Sequence, residues 1–201
     1  MKKLLFITAI SFFTLLFSVT SFSQNLKYKG YGEINYSLGM GTPEIYSGIK
    51  GKPADIGLLS TSHGILLADK FFVGIGGSYN VTLKSGGESG FGVHGDLRYN
   101  IVNFNETKLF IGGRAGLLFT EKVSNVSKNQ YDGLVRLKSG LTINPFISLE
   151  LPVMPNNNLV ISAGYRSQFY KLTLEGQAGK STQILFNDDF EYLNFSIGVS
   201  F

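Results

Sequence analysis

Phe91-Gly92-Val93-His94-Gly95-Asp96-Leu97-Arg98-Tyr99-Asn100-Ile101 places apolar residues or glycine at every odd position and polar residues or glycine at every even one. A helix repeats every three to four residues, whereas a period of two is that of an extended strand with one apolar and one polar face. The same alternation runs from Lys70 to Lys84, with Phe71, Val73, Ile75, Tyr79, Val81 and Leu83 on one parity and Ser78, Asn80, Thr82 and Lys84 on the other. It returns at the end of the chain, where Leu193, Phe195, Ile197, Val199 and Phe201 alternate with Asn194, Ser196, Gly198 and Ser200.

Eight segments of this kind follow one another, at Leu26–Gly39, Ile56–Ala68, Lys70–Lys84, Phe91–Val102, Leu109–Thr120, Val135–Val153, Leu159–Leu174 and Phe190–Phe201. Their connections alternate between short (around Asp69, Asn103–Lys108, Met154–Asn158) and long (Met40–Asp55, Ser85–Gly90, Glu121–Leu134, Glu175–Asp189). That rhythm predicts an up-and-down antiparallel meander with one tight end and one elaborated end. The second segment, Ile56 to Leu67, shows no clean parity, so a bulge or a strand partly out of the membrane is expected there. In the seventh, apolar parity flips after Tyr170, which marks either a bulge or the point where the strand leaves lipid. A hairpin extension is therefore expected over Val135–Ser139 and Lys171–Glu175.

The charged residues decide between a soluble barrel and a membrane one. Glu33, Asp96, Arg98, Arg114, Lys138, Glu150 and Arg166 fall on the parity opposite the aromatics. The aromatic faces carry almost no charge over about ten residues per strand, the length that a tilted strand needs to cross a bilayer. Polar inside and greasy outside is the pattern of an all-β, eight-stranded antiparallel up-and-down transmembrane β-barrel. Tyr28, Tyr36, Phe71, Tyr79, Phe91, Tyr99, Phe119, Tyr165 and Phe169 are its candidate interfacial girdles, and Gly74, Gly76, Gly112 and Gly116 are placed on the lumen face, where side chains would collide.

Composition agrees with that reading and narrows the functions. Only 16% of the 201 residues are charged and 13% are aromatic, too greasy for a disordered segment. Zero cysteines exclude a disulfide scaffold, a thiolate metal site and a cysteine nucleophile. Lys2 and Lys3, an apolar run from Leu4 to Phe17 and Ser21-Phe22-Ser23 form the three parts of a secretory signal peptide over residues 1–23, its apolar centre short for a membrane anchor. Its removal leaves residues 24–201 as one barrel domain and takes two lysines with it, lowering a formal charge of +4 to +2. So small a surplus argues against nucleic acid as a partner.

With these residues in view, the chain resembles the small eight-stranded outer-membrane barrels of Gram-negative bacteria, the OmpA/OmpX-type group. The resemblance rests on Leu193-x-Phe195-x-Ile197-x-Val199-x-Phe201 at the C-terminus and on the hairpin from Ser60-Thr61-Ser62-His63-Gly64 to Phe72-Val73-Gly74-Ile75-Gly76. It implies an outer-membrane location, a monomer surrounded by lipid, and recognition of Leu193, Phe195, Ile197, Val199 and Phe201 by the barrel-assembly machinery. Some barrels of this size modify lipid A with a histidine and a serine hydroxyl near the rim. Here His94, with Asp96 two residues on, is the weak catalytic candidate, and Ser62, Ser85 or Ser89 the hydroxyl.

The plainer reading is that the chain is no enzyme and holds no metal or cofactor. Glu33, Asp96 and Glu150 then pair with Arg98, Arg114, Arg166 and Lys29 to plug the lumen, because a buried charge must be answered. The long loops then carry any contact with an extracellular ligand, with a narrow pore for small or hydrophobic molecules as the alternative. The exposed triplet Ile184-Leu185-Phe186 either caps the barrel mouth or binds a partner by strand addition.

Overall fold

The computed structural model describes residues 26–40, 55–83, 89–120, 133–176 and 187–201, together with four short strands, and it describes side chains over 26–40, 55–83, 89–119, 140–169 and 190–201. The expected signal peptide, Ser85 and the triplet Ile184 to Phe186 lie outside the described residues, and the side chain of Lys138 does too. Eight long strands form the body: β1 Leu26–Met40, β2 Ile56–Leu67, β3 Phe71–Thr82, β4 Ser89–Phe104, β5 Thr107–Thr120, β6 Gly133–Met154, β7 Asn157–Gly176 and β8 Asn187–Ser200. Each pairs antiparallel with its neighbour in sequence, and β8 returns to β1, so the sheet closes on itself. Closure removes the unpaired backbone edges that a strand cannot expose to lipid.

The short connections are built by residues that tolerate them. Ala68 and Asp69 take left-handed φ values of 50° and 54° between β2 and β3, where Lys70 N donates to Leu67 O at 2.9 Å. Asn105 takes a φ of 55° between β4 and β5. Asparagine and aspartate enter this region readily because their side chains can bond the local backbone; Ala68 has no such help. All three tight turns and the C-terminus therefore share one end of the barrel.

Parity sorts the side chains. Outward positions are even on the upper part of β1 and odd on β2, β3, β4 and β8, and they carry a belt of exposed apolar side chains that includes Ile34, Leu59, Ile75, Val93, Leu97, Ile111 and Ile197. Ile75 is 77% exposed. A continuous surface of this kind is incompatible with water and fits a bilayer. Aromatics edge it in two rows. Phe71 and Tyr99 meet at 4.6 Å beside the tight turns, and Phe91 and Phe119 stack at 5.3 Å in register with Tyr79 toward the long loops. Tyr165 and Phe169 are half-buried rather than fully exposed.

The second strand corrects the expectation drawn from its sequence. β2 pairs with β1 and β3 without a register shift, Ile56, Leu58, Ser60, Ser62 and Leu66 facing in and Leu59, Thr61, His63 and Ile65 facing out. Parity was hidden because both faces are apolar at the strand's ends: inward Ile56, Leu58 and Leu66 pack in the lumen while outward Leu59 and Ile65 meet lipid. The irregularity near Tyr170 is a bulge. Between the pairs Phe169–Leu141 and Lys171–Lys138, β6 spends one residue more than β7. Beyond it the two strands stay paired to Gly176–Gly133, and Lys122–Asn125 and Ser181–Thr182 add to their outer edges.

Two inward glycines show how tightly the wall is packed. His94 lies in register between Gly76 and Gly116. A Cβ on Gly116 would press on the Val93 carbonyl and come within 2.6 Å of His94 Cα, whereas a Cβ on outward Gly113 would meet nothing within 4 Å. Gly116→Ala is therefore expected to cost about 1–3 kcal/mol through overpacking. Gly113→Ala is expected to stay within about 0.5 kcal/mol of the parent. Urea unfolding in lipid vesicles compares the two.

Candidate functional site

The inward residues of β1 climb the lumen in steps of two, and each step fastens a tier of the interior. Lys29 and Tyr31, nearest the tight turns, both bond the carboxylate of Glu150 on β6. Lys29 Nζ donates to Oε2, and the Tyr31 hydroxyl donates to Oε1 at 2.7 Å. Glu150 is 1% exposed. Beside this pair Tyr31, Leu66, Phe72, Phe110 and Val160 form a contiguous apolar cluster, contributed by β1, β2, β3, β5 and β7.

Glu33 begins the middle tier. Arg98 on β4 gives Nη2 to Glu33 Oε1 at 2.7 Å and to Asp96 Oδ2 at 2.8 Å, and its Nε to Asp96 Oδ1 at 3.1 Å. Arg114 on β5 donates from Nε to Asp96 Oδ2 at 2.9 Å and from Nη2 to Glu33 Oε1. The Ser196 hydroxyl donates to the other Glu33 oxygen at 3.0 Å. Two carboxylates and two guanidiniums leave the quartet formally neutral. Arg98 lies flat on Tyr31, its Cζ 3.4 Å from the ring centroid, and Phe146 sits 5.0 Å from both arginines. Planar, delocalised and weakly hydrated guanidiniums suit such contacts with aromatic faces.

Above the quartet the acceptors are neutral groups. Asn35 Nδ2 donates to Ser60 Oγ at 3.0 Å, and the Ser37 hydroxyl donates to Asn194 Oδ1 at 2.8 Å. Arg166 reaches from β7 across to β3, where Nη2 donates to Asn80 Oδ1 at 3.4 Å. β3 and β7 stand on opposite sides of the eight-stranded ring, so this contact bars the full width of the lumen. Such a barrel is just wide enough to be filled by side chains, and that is how this one is built.

The seven charged residues expected to pair in the lumen thus divide. Glu33, Asp96, Arg98 and Arg114 form one cluster, Glu150 takes Lys29 instead, and Arg166 stands a tier above with Asn80. His94 meets the Ser62 hydroxyl, Oγ to Nε2 at 3.1 Å, across the bare backbone of Gly76. The Asp96 carboxylate is occupied by the two arginines, and Ser62 is 1% exposed. Ser89 is an exposed residue at the start of β4. Among the described residues no three His, Asp or Glu side chains gather as a metal ion would require. Leu193, Phe195, Ile197, Val199 and Phe201 all face outward on the last strand, between 37 and 54% exposed.

Tyr31, Phe146, Ser196 and Asn80 complete the interior and were not singled out in the sequence. Parity alone could have flagged Tyr31, which shares the odd, inward positions of β1 with Glu33, whereas Tyr28 and Tyr36 are even and face out.

Glu33→Ala would leave two buried guanidiniums short of a carboxylate. It is expected to destabilise the barrel by about 3–5 kcal/mol. Lys27→Ala breaks the exposed Lys27–Asp69 pair, 62 and 46% exposed, and is expected to cost at most about 1 kcal/mol. Denaturant midpoints of refolded protein read both.

No family model matches the sequence, and no curated protein does. Solved structures do. Neisserial surface protein A is similar with a TM-score of 0.53 at 13% identity, over 89% of this chain and all of that one. The outer membrane protein AlkL, solved in lipid bilayers, gives 0.53 at 10% identity over 88% and 90%. A major outer membrane protein from Thermus thermophilus gives 0.50 at 13% identity over 87% and 100%. At these identities the likeness is one of fold: a small, closed, eight-stranded antiparallel barrel of the outer-membrane type.

Proposed function

We propose that this chain is an outer-membrane protein of structural or surface-interaction type, in which the barrel is a closed anchor and the long-loop end meets the outside. The observation that carries the reading is the quartet of Glu33, Asp96, Arg98 and Arg114, which joins β1 to β4 and β5 through the middle of the lumen. A path for ions would have to break charge-assisted bonds that nothing else inside replaces. The aromatic rows and the apolar belt suit a bilayer, residues 1–23 would direct export, and the outward face of β8 would present its aromatic and aliphatic side chains to the assembly machinery.

Among the described residues, the Ser62–His94 contact is the feature that favours an enzyme acting on lipid A. We assign it to packing instead. A reactive hydroxyl needs a path to substrate and a histidine held by a third group, and here the Asp96 carboxylate serves the arginines. Expression of His94→Ala is expected to leave the mass of lipid A the same as with the parent. A mass change made by the parent and lost in the variant would assign the enzyme role to His94.

Planar-bilayer recording tests the closed anchor directly. The parent protein is expected to show no steady conductance, while Glu33→Ala, if it inserts, is expected to show brief openings. Steady, substantial conductance of the parent would instead establish the pore.

A further inference from the structure

The outer surface at the seam between the first and last strands holds a cluster that neither the lumen nor the loops explain. The final rung of the β1–β8 ladder joins Gly30 and Phe201 by two backbone bonds, Gly30 N to Phe201 O at 2.8 Å and Phe201 N to Gly30 O at 3.0 Å. Gly30 has no side chain, and the Phe201 ring lies where its Cβ would be, so a side chain there would strike Phe201 Cε2 and Cζ. An aromatic laid over a cross-strand glycine restores the burial that the glycine forgoes.

The ring is held from the third strand of the seam. His63 on β2 is in register with Gly30, and its ring meets Phe201 edge-on at 6.0 Å. Both imidazole nitrogens are occupied: Nδ1 by the Tyr28 hydroxyl at 2.6 Å and Nε2 by the Thr61 hydroxyl at 2.9 Å. Tyr28 also stacks on the imidazole, with centroids 6.2 Å apart. An outward histidine amid lipid-facing side chains would leave two polar atoms unanswered, at a cost. Here neighbours on β1 and β2 answer them, and in doing so they fix the ring against the last residue of the chain.

We propose that Tyr28, Thr61, His63 and Phe201 form a latch that completes closure of the barrel, with His63 as its keeper. β1 and β8 are the most distant long strands in sequence and their pairing closes the sheet, so this rung is among the last that folding can form. The latch ties three strands together at that point through side chains on the outside. It acts on the periplasm-facing end if the tight turns lie there, and it does not depend on whether the lumen conducts.

Hydrogen exchange of the whole barrel in detergent micelles tests it, followed residue by residue by NMR. In His63→Ala, exchange of the Gly30 and Phe201 amides is expected to rise roughly tenfold, the mark of local opening. Ile34 and Ile197, a pair further along the same ladder, are expected to keep the protection of the parent. Thr61→Val, nearly the same shape without the hydroxyl, is expected to produce a smaller rise at the same two amides. Gly30→Val, which displaces the Phe201 ring, is expected to match His63→Ala. Should Gly30→Val not fold, the His63 and Thr61 variants still decide. Unchanged exchange at Gly30 and Phe201 in His63→Ala would overturn the latch, and so would an equal rise along the whole ladder, which would make His63 a general packing residue.

Discussion

Lipid on the outside is the constraint from which the rest of this structure follows. Water cannot hydrate the outer wall, so the belt is apolar, and the polar groups must gather within a lumen only a few side chains wide. There each charge has to be answered by another side chain. The neutral quartet of Glu33, Asp96, Arg98 and Arg114 meets that demand with bidentate contacts that few other residue pairs could supply. Its formation fixes the spacing of β1, β4 and β5, and Tyr31 beneath Arg98 links this tier to the Glu150 tier below. Removal of one member is more disruptive than the pair is stabilising, because the cost lies in the charge left behind.

Packing inside the wall obeys the same geometry from the other side. Large side chains such as Phe146 and His94 cannot lie across neighbouring strands unless those strands offer room. The Phe146 ring lies where a Cβ on Gly112 would be, and Gly76 and Gly116 flank His94. The glycines are therefore complements of the large residues, positioned one strand over from them. Gly113, which faces outward, has nothing within 4 Å of where its Cβ would lie, whereas outward Gly30 is covered by the Phe201 ring.

Much of this was legible in the sequence because a membrane barrel writes its two faces in a period of two. Strand number, the tight and long ends, the lumen position of Glu33 and Arg98 and an irregularity near Tyr170 could all be read from parity, though not that the irregularity is a bulge. β2 could not, since its inward Ile56, Leu58 and Leu66 are as apolar as its outward Leu59 and Ile65. Partnership was also illegible. Alternation says that a charge faces inward but not which of seven other strands it will meet, because that depends on the stagger set at closure. Glu150 with Lys29, and Arg166 with Asn80, are consequences of that stagger. The apolar cluster of Leu66, Phe72, Phe110 and Val160 was hidden for a related reason: these residues share the polar parity and break the rule that the lumen is hydrophilic.

That apolar cluster also bears on what the barrel can do. Its residues lie beside the buried Lys29–Glu150 pair and beneath the charged quartet, so apolar and ionic packing share the lower part of the lumen. The Lys29–Glu150 pair lies on one side of the quartet and the Arg166–Asn80 contact on the other, so loss of one quartet member leaves both of these in place. The interior is thus packed by two kinds of physics, burial of apolar surface in one place and mutual satisfaction of charge in another. For a closed anchor, as proposed, contact with the surroundings falls to the outer wall at the seam and to the end that bears the long connections.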